Sequence, residues 1–306
     1  MICYLLDNSF VKIQSLDEID KKQITDKIEK IECNQRNLIS LKGLENCINL
    51  KILICWNNQI TSLIELKNCI NLQILYCGCN KLISFEGLEN CINLEEINCS
   101  GNMLSSFKEL KNCAKLQIVD CSQEICCNQK ITSLEGLENC INLKELHCSN
   151  NKLTSLKELK NCINLQIIYC SGNKLITLEG LENCINLKEI YCSNNKLTSL
   201  KGLEKCVNLH EIVCDNNMIV STDEHTNLMI LLNYNGIFNV LNKYVITNEL
   251  LNYDKLYMLM TVDDMNRYYD YLEKKEQILF KYNYDNFKQC NYYMNHRNEI
   301  VGKYKL

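Results

Sequence analysis

Leu143-Lys-Glu-Leu146-His-Cys148-Ser-Asn-Asn151-Lys-Leu153-Thr-Ser155-Leu156-Lys-Glu-Leu159-Lys-Asn-Cys162-Ile-Asn164 is a run of 22 residues that recurs along the chain with little change. Its two cysteines mark the period. Cys47, Cys69, Cys91, Cys113, Cys140, Cys162, Cys184 and Cys206 form one register, and Cys55, Cys77, Cys99, Cys121, Cys148, Cys170, Cys192 and Cys214 follow it by eight residues each. The spacing is 22 except between Cys113 and Cys140, where it is 27 and places a loop insertion near residues 122–128. A degenerate unit precedes these, with Ile28, Ile31, Cys33 and Leu38 in the places of Leu143, Leu146, Cys148 and Leu153, so the spacing predicts about nine units. A fixed period of this length means stacked units that pack on their neighbours.

Each column has a physical reading. Leu146 and Cys148 are two residues apart, so in a short strand both face one side while Glu145, His147 and Ser149 face the other. Asn151 stands where the chain leaves the strand, with Asn58, Asn80, Asn102, Asn173, Asn195 and Asn217 in the same column. An amide there can serve backbone groups of adjacent turns. Arg36 breaks the column in the first unit, and Glu124 or Gln129 breaks it in the insertion unit. Ser155 before Leu156, Leu159 and Cys162 suits a capped 3₁₀-like turn.

The unit reads L-x-x-L-x-C-x-x-N-x-L-x-x-L-x-x-L-x-x-C-x-N and resembles the leucine-rich-repeat signature, with cysteine at the third apolar strand position. Its length resembles the internalin-like and phosphatase-regulator-like class. The resemblance implies an α/β solenoid, with a curved parallel sheet on the concave side and short 3₁₀ or turn segments on the convex side. The expected organisation is an N-terminal cap at 1–24, the array at 25–220, and a helical cap or interaction module at 221–306, which carries 12 tyrosines and 13 asparagines. Asparagine, tyrosine and lysine usage without proline resembles repeat proteins of giant amoeba viruses or AT-rich protists in composition.

Two versions of the unit alternate. Gly43, Gly87, Gly136 and Gly180 each open Gly-Leu-Glu-Asn, and Glu65, Glu109 and Glu158 open the interleaved Glu-Leu-Lys-Asn, so the duplicated block is 44 residues. A surface offering the same groups many times favours binding over catalysis, which needs singular residues in fixed geometry. His147, His210, His225 and His296 are scattered beside no nucleophile-base pattern, and no P-loop is visible. Asp263-Asp264 reads as helix-start charge. No enzyme activity and no cofactor are expected.

Apolar residues make up 46% of the 306, yet no long stretch is free of charge, so no membrane span is expected. The N-terminus lacks an export-signal pattern, so the 22 cysteines are read as reduced core fillers in a cytoplasmic protein, in the host cytoplasm if the source is viral. Cys77-Gly-Cys79 and Cys126-Cys127 are the close pairs, neither with the matching pair that zinc requires, and Cys127 is the candidate for an exposed thiol. A net charge of −4 without basic clusters argues against nucleic acid.

The expected function is a protein-interaction scaffold gripping a protein partner on the concave face. The alternative is an adaptor recruiting a phosphatase or ubiquitin ligase through its termini. Outward strand positions give two candidate binding patches: Ile52, Ile54, Trp56, Ile74 and Tyr76, then His147, Ile167, Tyr169 and Tyr191. Glu96, Asn98, Ser100 and Asp120 separate them.

Overall fold

The computed structural model describes residues 1–123 and 131–219 except Glu204, Val207 and His210. Two antiparallel strands, β1 (Ile2–Leu5) and β2 (Phe10–Lys12), and a one-turn helix, α1 (Glu18–Lys21), come first. Nine strands follow: β3 (Ile28–Glu32), β4 (Ile52–Ile54), β5 (Ile74–Tyr76), β6 (Glu96–Asn98), β7 (Ile118–Asp120), β8 (Glu145–His147), β9 (Ile167–Tyr169), β10 (Glu189–Tyr191) and β11 (Glu211–Val213). These nine pair in parallel in sequence order, one per repeat, and β1 joins the free side of β3 to complete an 11-stranded sheet. The chain therefore winds as a solenoid with one strand per turn.

The register follows from the period of two. Leu53, Leu75, Ile97, Val119, Leu146, Ile168, Ile190 and Ile212 point inward and are buried in every rung, as are Cys55 and its column. Leu63 and Leu66 with their equivalents close the core from the far side. Phe85 and Phe107 replace leucine in two successive rungs and stack at 5.7 Å between centroids. A buried leucine contributes about 1.5–3 kcal/mol, so each rung is held by apolar contact with its neighbours.

Cysteine fills the two narrow corners. The convex thiols reach neighbouring rungs, Cys113 Sγ donating to Cys91 O at 3.4 Å and Cys91 Sγ to Cys69 O at 3.5 Å. Burial pushes the Cys69, Cys77 and Cys170 thiols up to about 12.

The glycine of the Gly-Leu-Glu units answers a steric requirement. Glu-Leu-Lys-Asn units form 3₁₀ turns at Ile64–Leu66, Lys108–Leu110 and Lys157–Asn161. The glycine of the next unit lies flat against the start of that turn: a Cβ on Gly87 would stand 2.2 Å from Leu63 O, and one on Gly136 2.0 Å from Phe107 O. These glycines hold φ near +105°, which favours residues without a Cβ. The glutamate two residues on accepts the glycine amide, Gly87 N donating to Glu89 Oε2 at 2.9 Å. Gly43 meets Leu16 O in the same way, so α1 stands where a 3₁₀ turn would stand.

Several expectations lie outside the described residues: the cap or module at 221–306, with His225, His296 and Asp263-Asp264, the insertion residues Glu124, Cys126, Cys127 and Gln129, and His210. In the insertion rung, buried Gln123 donates through Nε2 to Cys121 O at 3.2 Å, the carbonyl that Asn151 of the next rung also takes.

Candidate binding face

A face that binds must first be rigid, and asparagine supplies the rigidity. Asn58, Asn80, Asn102, Asn151, Asn173, Asn195 and Asn217 each donate Nδ2 to the strand-cysteine carbonyl of their own rung and of the rung before. Each Oδ1 accepts a backbone amide of the earlier rung, as Asn102 does from Leu82 N at 3.0 Å. The turn leaving each strand is thereby stitched to the next.

Two further asparagine ladders run along the far side, and the sequence reading missed them. Asn71, Asn93, Asn164, Asn186 and Asn208 donate to the carbonyls of Ile48, Ile70, Ile141, Ile163 and Ile185. Asn68, Asn90, Asn139, Asn161 and Asn183 form the other. The signal was in plain view as Asn-Cys-Ile-Asn, present in six of the eight units that carry the convex cysteine. The isoleucine of that motif is about half exposed in rung after rung, from 48% at Ile48 to 53% at Ile92.

On the outer sheet face the first patch is continuous. Ile52 pairs with Ile74 and Ile54 with Tyr76, all half-buried, and Trp56 beyond them is 38% exposed. Lys30 and Glu32 border it on β3, joined by a 2.7 Å ion pair. The N-terminal strands extend the sheet beyond β3 and leave β4 and β5 uncovered by that segment.

A hydrogen-bonded band separates the patches. Tyr76 Oη donates to Glu96 Oε1 at 2.6 Å, and that bond, with burial, pushes the Tyr76 hydroxyl up to about 12. Asn98 Nδ2 donates to Asp120 Oδ2 at 2.8 Å, Ser100 Oγ donates to Asn98 Oδ1 at 2.8 Å, and Ser122 Oγ donates to Asp120 Oδ1.

The second patch is a ring stack. His147, Tyr169 and Tyr191 stand in register on β8, β9 and β10, with centroids 4.6 Å and 4.5 Å apart and the two phenols nearly parallel at 5°. These spacings match the ~4.8 Å between strands, so the sheet itself sets the stack. Ile167 lies beside them between Glu145 and Glu189.

Cys79 was passed over in favour of Cys127, yet it is exposed and holds φ +52°. It belongs to a left-handed column two residues past the strand cysteine, occupied by Gln35, Asn57, Gly101, Asn150, Gly172, Asn194 and Asn216. Asn and Gly recur there because they tolerate that conformation. Asn150 is exposed, but it carries this φ and donates Nδ2 to Gln123 O at 3.0 Å, which makes it a structural residue.

The family of leucine rich repeats (2 copies) matches residues 48–90, 141–183 and 185–227. No curated protein matches the chain by sequence. Among solved structures, internalin C2 of Listeria monocytogenes is similar at 21% identity and TM-score 0.58, over 68% of this chain and 85% of that one. YopM of Yersinia enterocolitica is similar at 26% identity and TM-score 0.49, over 62% of this chain and 38% of that one. With one parallel strand per 22-residue unit, inward leucines and an asparagine ladder through seven of its turns, this chain carries leucine-rich repeats and folds as a leucine-rich-repeat solenoid.

Proposed function

We propose that the chain is a protein-binding scaffold that holds its partner on the outer sheet face and performs no chemistry of its own. Leucine-rich-repeat proteins generally mediate protein–protein interaction, and repeat solenoids use their concave surface for it. The observation that carries the reading is the pairing of large side chains across neighbouring strands at outward positions, Ile54 with Tyr76 and Tyr169 with Tyr191. Large apolar and aromatic groups on an exposed, rigid face mark interaction sites. A reducing, cytoplasmic setting accords with a core lined by thiols.

Partner capture by the parent and by Trp56→Ala and Tyr169→Ala tests this. Each variant should keep its fold and weaken capture by ~2 kcal/mol or more, the scale of a binding hot spot. Retention of the same partners by both, with loss on charge reversal at exposed Glu86 away from the sheet, would place binding elsewhere.

A further inference from the structure

The two patches differ in charge, and the difference says what the second one takes. Glu96, Asp120, Glu145, Glu189, Glu211 and Asp215 occupy outward strand positions from β6 to the end of β11 or the residues just past it. Among the described residues, no lysine or arginine stands at an outward position of these strands. Lys144 and Lys188 lie one residue before β8 and β10, and their ammonium groups donate to Gln117 and Gln166 of the preceding rungs. His147 Nε2 lies 3.6 Å from Glu145 Oε2, and that imidazole packs on Tyr169 at 4.6 Å between centroids with its plane tilted by 34°.

The ring stack adds direction. Both faces of Tyr169 are covered by its neighbours, so it can offer a ligand only its edge and hydroxyl. Tyr191 has Tyr169 on one face and, across the next strand, the ringless Val213 on the other. Along β11, Val213 follows Glu211 by two residues on the same side of the sheet, and Asp215, two residues past the end of the strand, accepts from Ser193 Oγ of the rung before at 3.5 Å. The Tyr191 hydroxyl donates to Glu189 Oε2 at 3.0 Å, and both Glu189 and Glu211 act on it. An aromatic face above an aliphatic floor, with carboxylates on two sides, suits a planar guanidinium, which stacks on rings and pairs carboxylates through two donors.

Resting on the scaffold reading, we infer that the sheet face of β8–β11 receives an extended, arginine-bearing segment of the partner protein, with one guanidinium seated over Val213 against Tyr191. Four rungs span roughly 15 Å between their outer strands, the length of about five extended residues. The partner's contribution is a short basic strand or tail laid across the strands. The apolar patch of β4 and β5 serves a different part of it.

The test uses the full chain and synthetic peptides of about eight residues, with arginine, lysine or glutamate at alternate positions and neutral polar residues between, measured by calorimetry. The arginine peptide should bind, the lysine peptide more weakly and the glutamate peptide not at all, and added salt should weaken binding. Glu189→Gln, Glu211→Lys and Tyr191→Ala should each lower affinity about tenfold or more. Glu179→Lys, a charge-matched change at an exposed carboxylate away from the strands, should leave affinity within about twofold. Equal weakening by Glu179→Lys would reduce the effect to net charge and overturn the assignment, as would equal binding of the glutamate peptide or no binding of the arginine peptide. Thermal midpoints identify any variant that fails to fold, and Glu189→Gln keeps shape while removing charge. If Trp56→Ala and Tyr169→Ala abolish partner capture while Glu189→Gln and Glu211→Lys leave it intact, the scaffold reading stands and this one fails.

Discussion

Asn102 reaches back across one rung to Cys77: its Nδ2 donates to that carbonyl at 3.0 Å while also taking Cys99 O of its own rung at 2.9 Å. The same side chain accepts Leu82 N. One buried amide thus serves backbone groups of two turns, and the repeat cannot shift relative to its neighbour without breaking the bonds to Cys77 O and Leu82 N. The period of the solenoid rests on this relationship as much as on the leucines.

Asn102→Ala should cost on the order of 3 kcal/mol, because it strands buried carbonyls and an amide that water cannot reach. Asn71→Ala, on an exposed ladder with its single bond to Ile48 O, should cost about 1 kcal/mol or less. Urea denaturation of both variants measures the difference. Equal losses would mean that the inner ladder is no more important than the outer ones.

The left-handed column gives a second contrast. Asn150→Ala should destabilise by about 1 kcal/mol, since alanine tolerates φ near +59° poorly, and Asn150→Gly should be nearly neutral. Cys79 sits in that column with an ill-suited side chain, so Cys79→Asn should raise stability by up to about 1 kcal/mol. Thermal unfolding of the three variants decides. A neutral Asn150→Ala would show that the turn relaxes.

Much of this was legible beforehand, and the exceptions have physical reasons. Strand positions such as Leu146 and His147 followed from alternation, because a period of two fixes which side each faces. The role of Asn151 followed from where the chain must turn. The outer ladders did not, because Asn71 and Asn68 flank a buried cysteine in a segment without strict periodicity, where side-chain direction depends on the turn geometry. Positive φ at Asn150 was hidden for the same reason: asparagine is as common on plain polar surface as in left-handed turns. The stack of His147, Tyr169 and Tyr191 needed only the repeat register, and the acidic setting around it emerges when the outward columns are read across strands instead of along them.

The 44-residue alternation predicts an asymmetry between the two unit types. Gly87→Ala places a Cβ 2.2 Å from Leu63 O at φ +105° and should cost at least about 2 kcal/mol. Glu65→Gly changes a turn residue with no such backbone requirement and should cost about 1 kcal/mol, the entropy of an added glycine. Chemical denaturation of the pair measures this. A Gly87→Ala variant as stable as the parent would remove the steric explanation of the glycine.

The thiols give the pH dependence. Burial pushes Cys33, Cys47, Cys69, Cys77, Cys91, Cys162 and Cys170 from an ordinary 9.0 up to about 12. Below pH 9 thiols are protonated in both folded and unfolded chains and contribute nothing to the slope. Above it the unfolded chain releases protons that the folded chain retains to about pH 12. Stability should therefore fall as pH rises from about 9, each buried thiol removing about 1.4 kcal/mol per pH unit. Tyr76, held up by Glu96, acts in the same direction. Denaturation midpoints should be level from about pH 7 to 8.5 and drop steeply by about pH 10. Cys170→Ala will lower stability at neutral pH by leaving a void, but it should also flatten the alkaline slope by about one proton, which packing alone cannot do. In the folded parent Cys79 should be alkylated well ahead of these buried thiols. Midpoints unchanged up to about pH 10.5, or rapid alkylation of Cys77 and Cys170 in the folded chain, would show that the core thiols ionise in place and that burial does not control them.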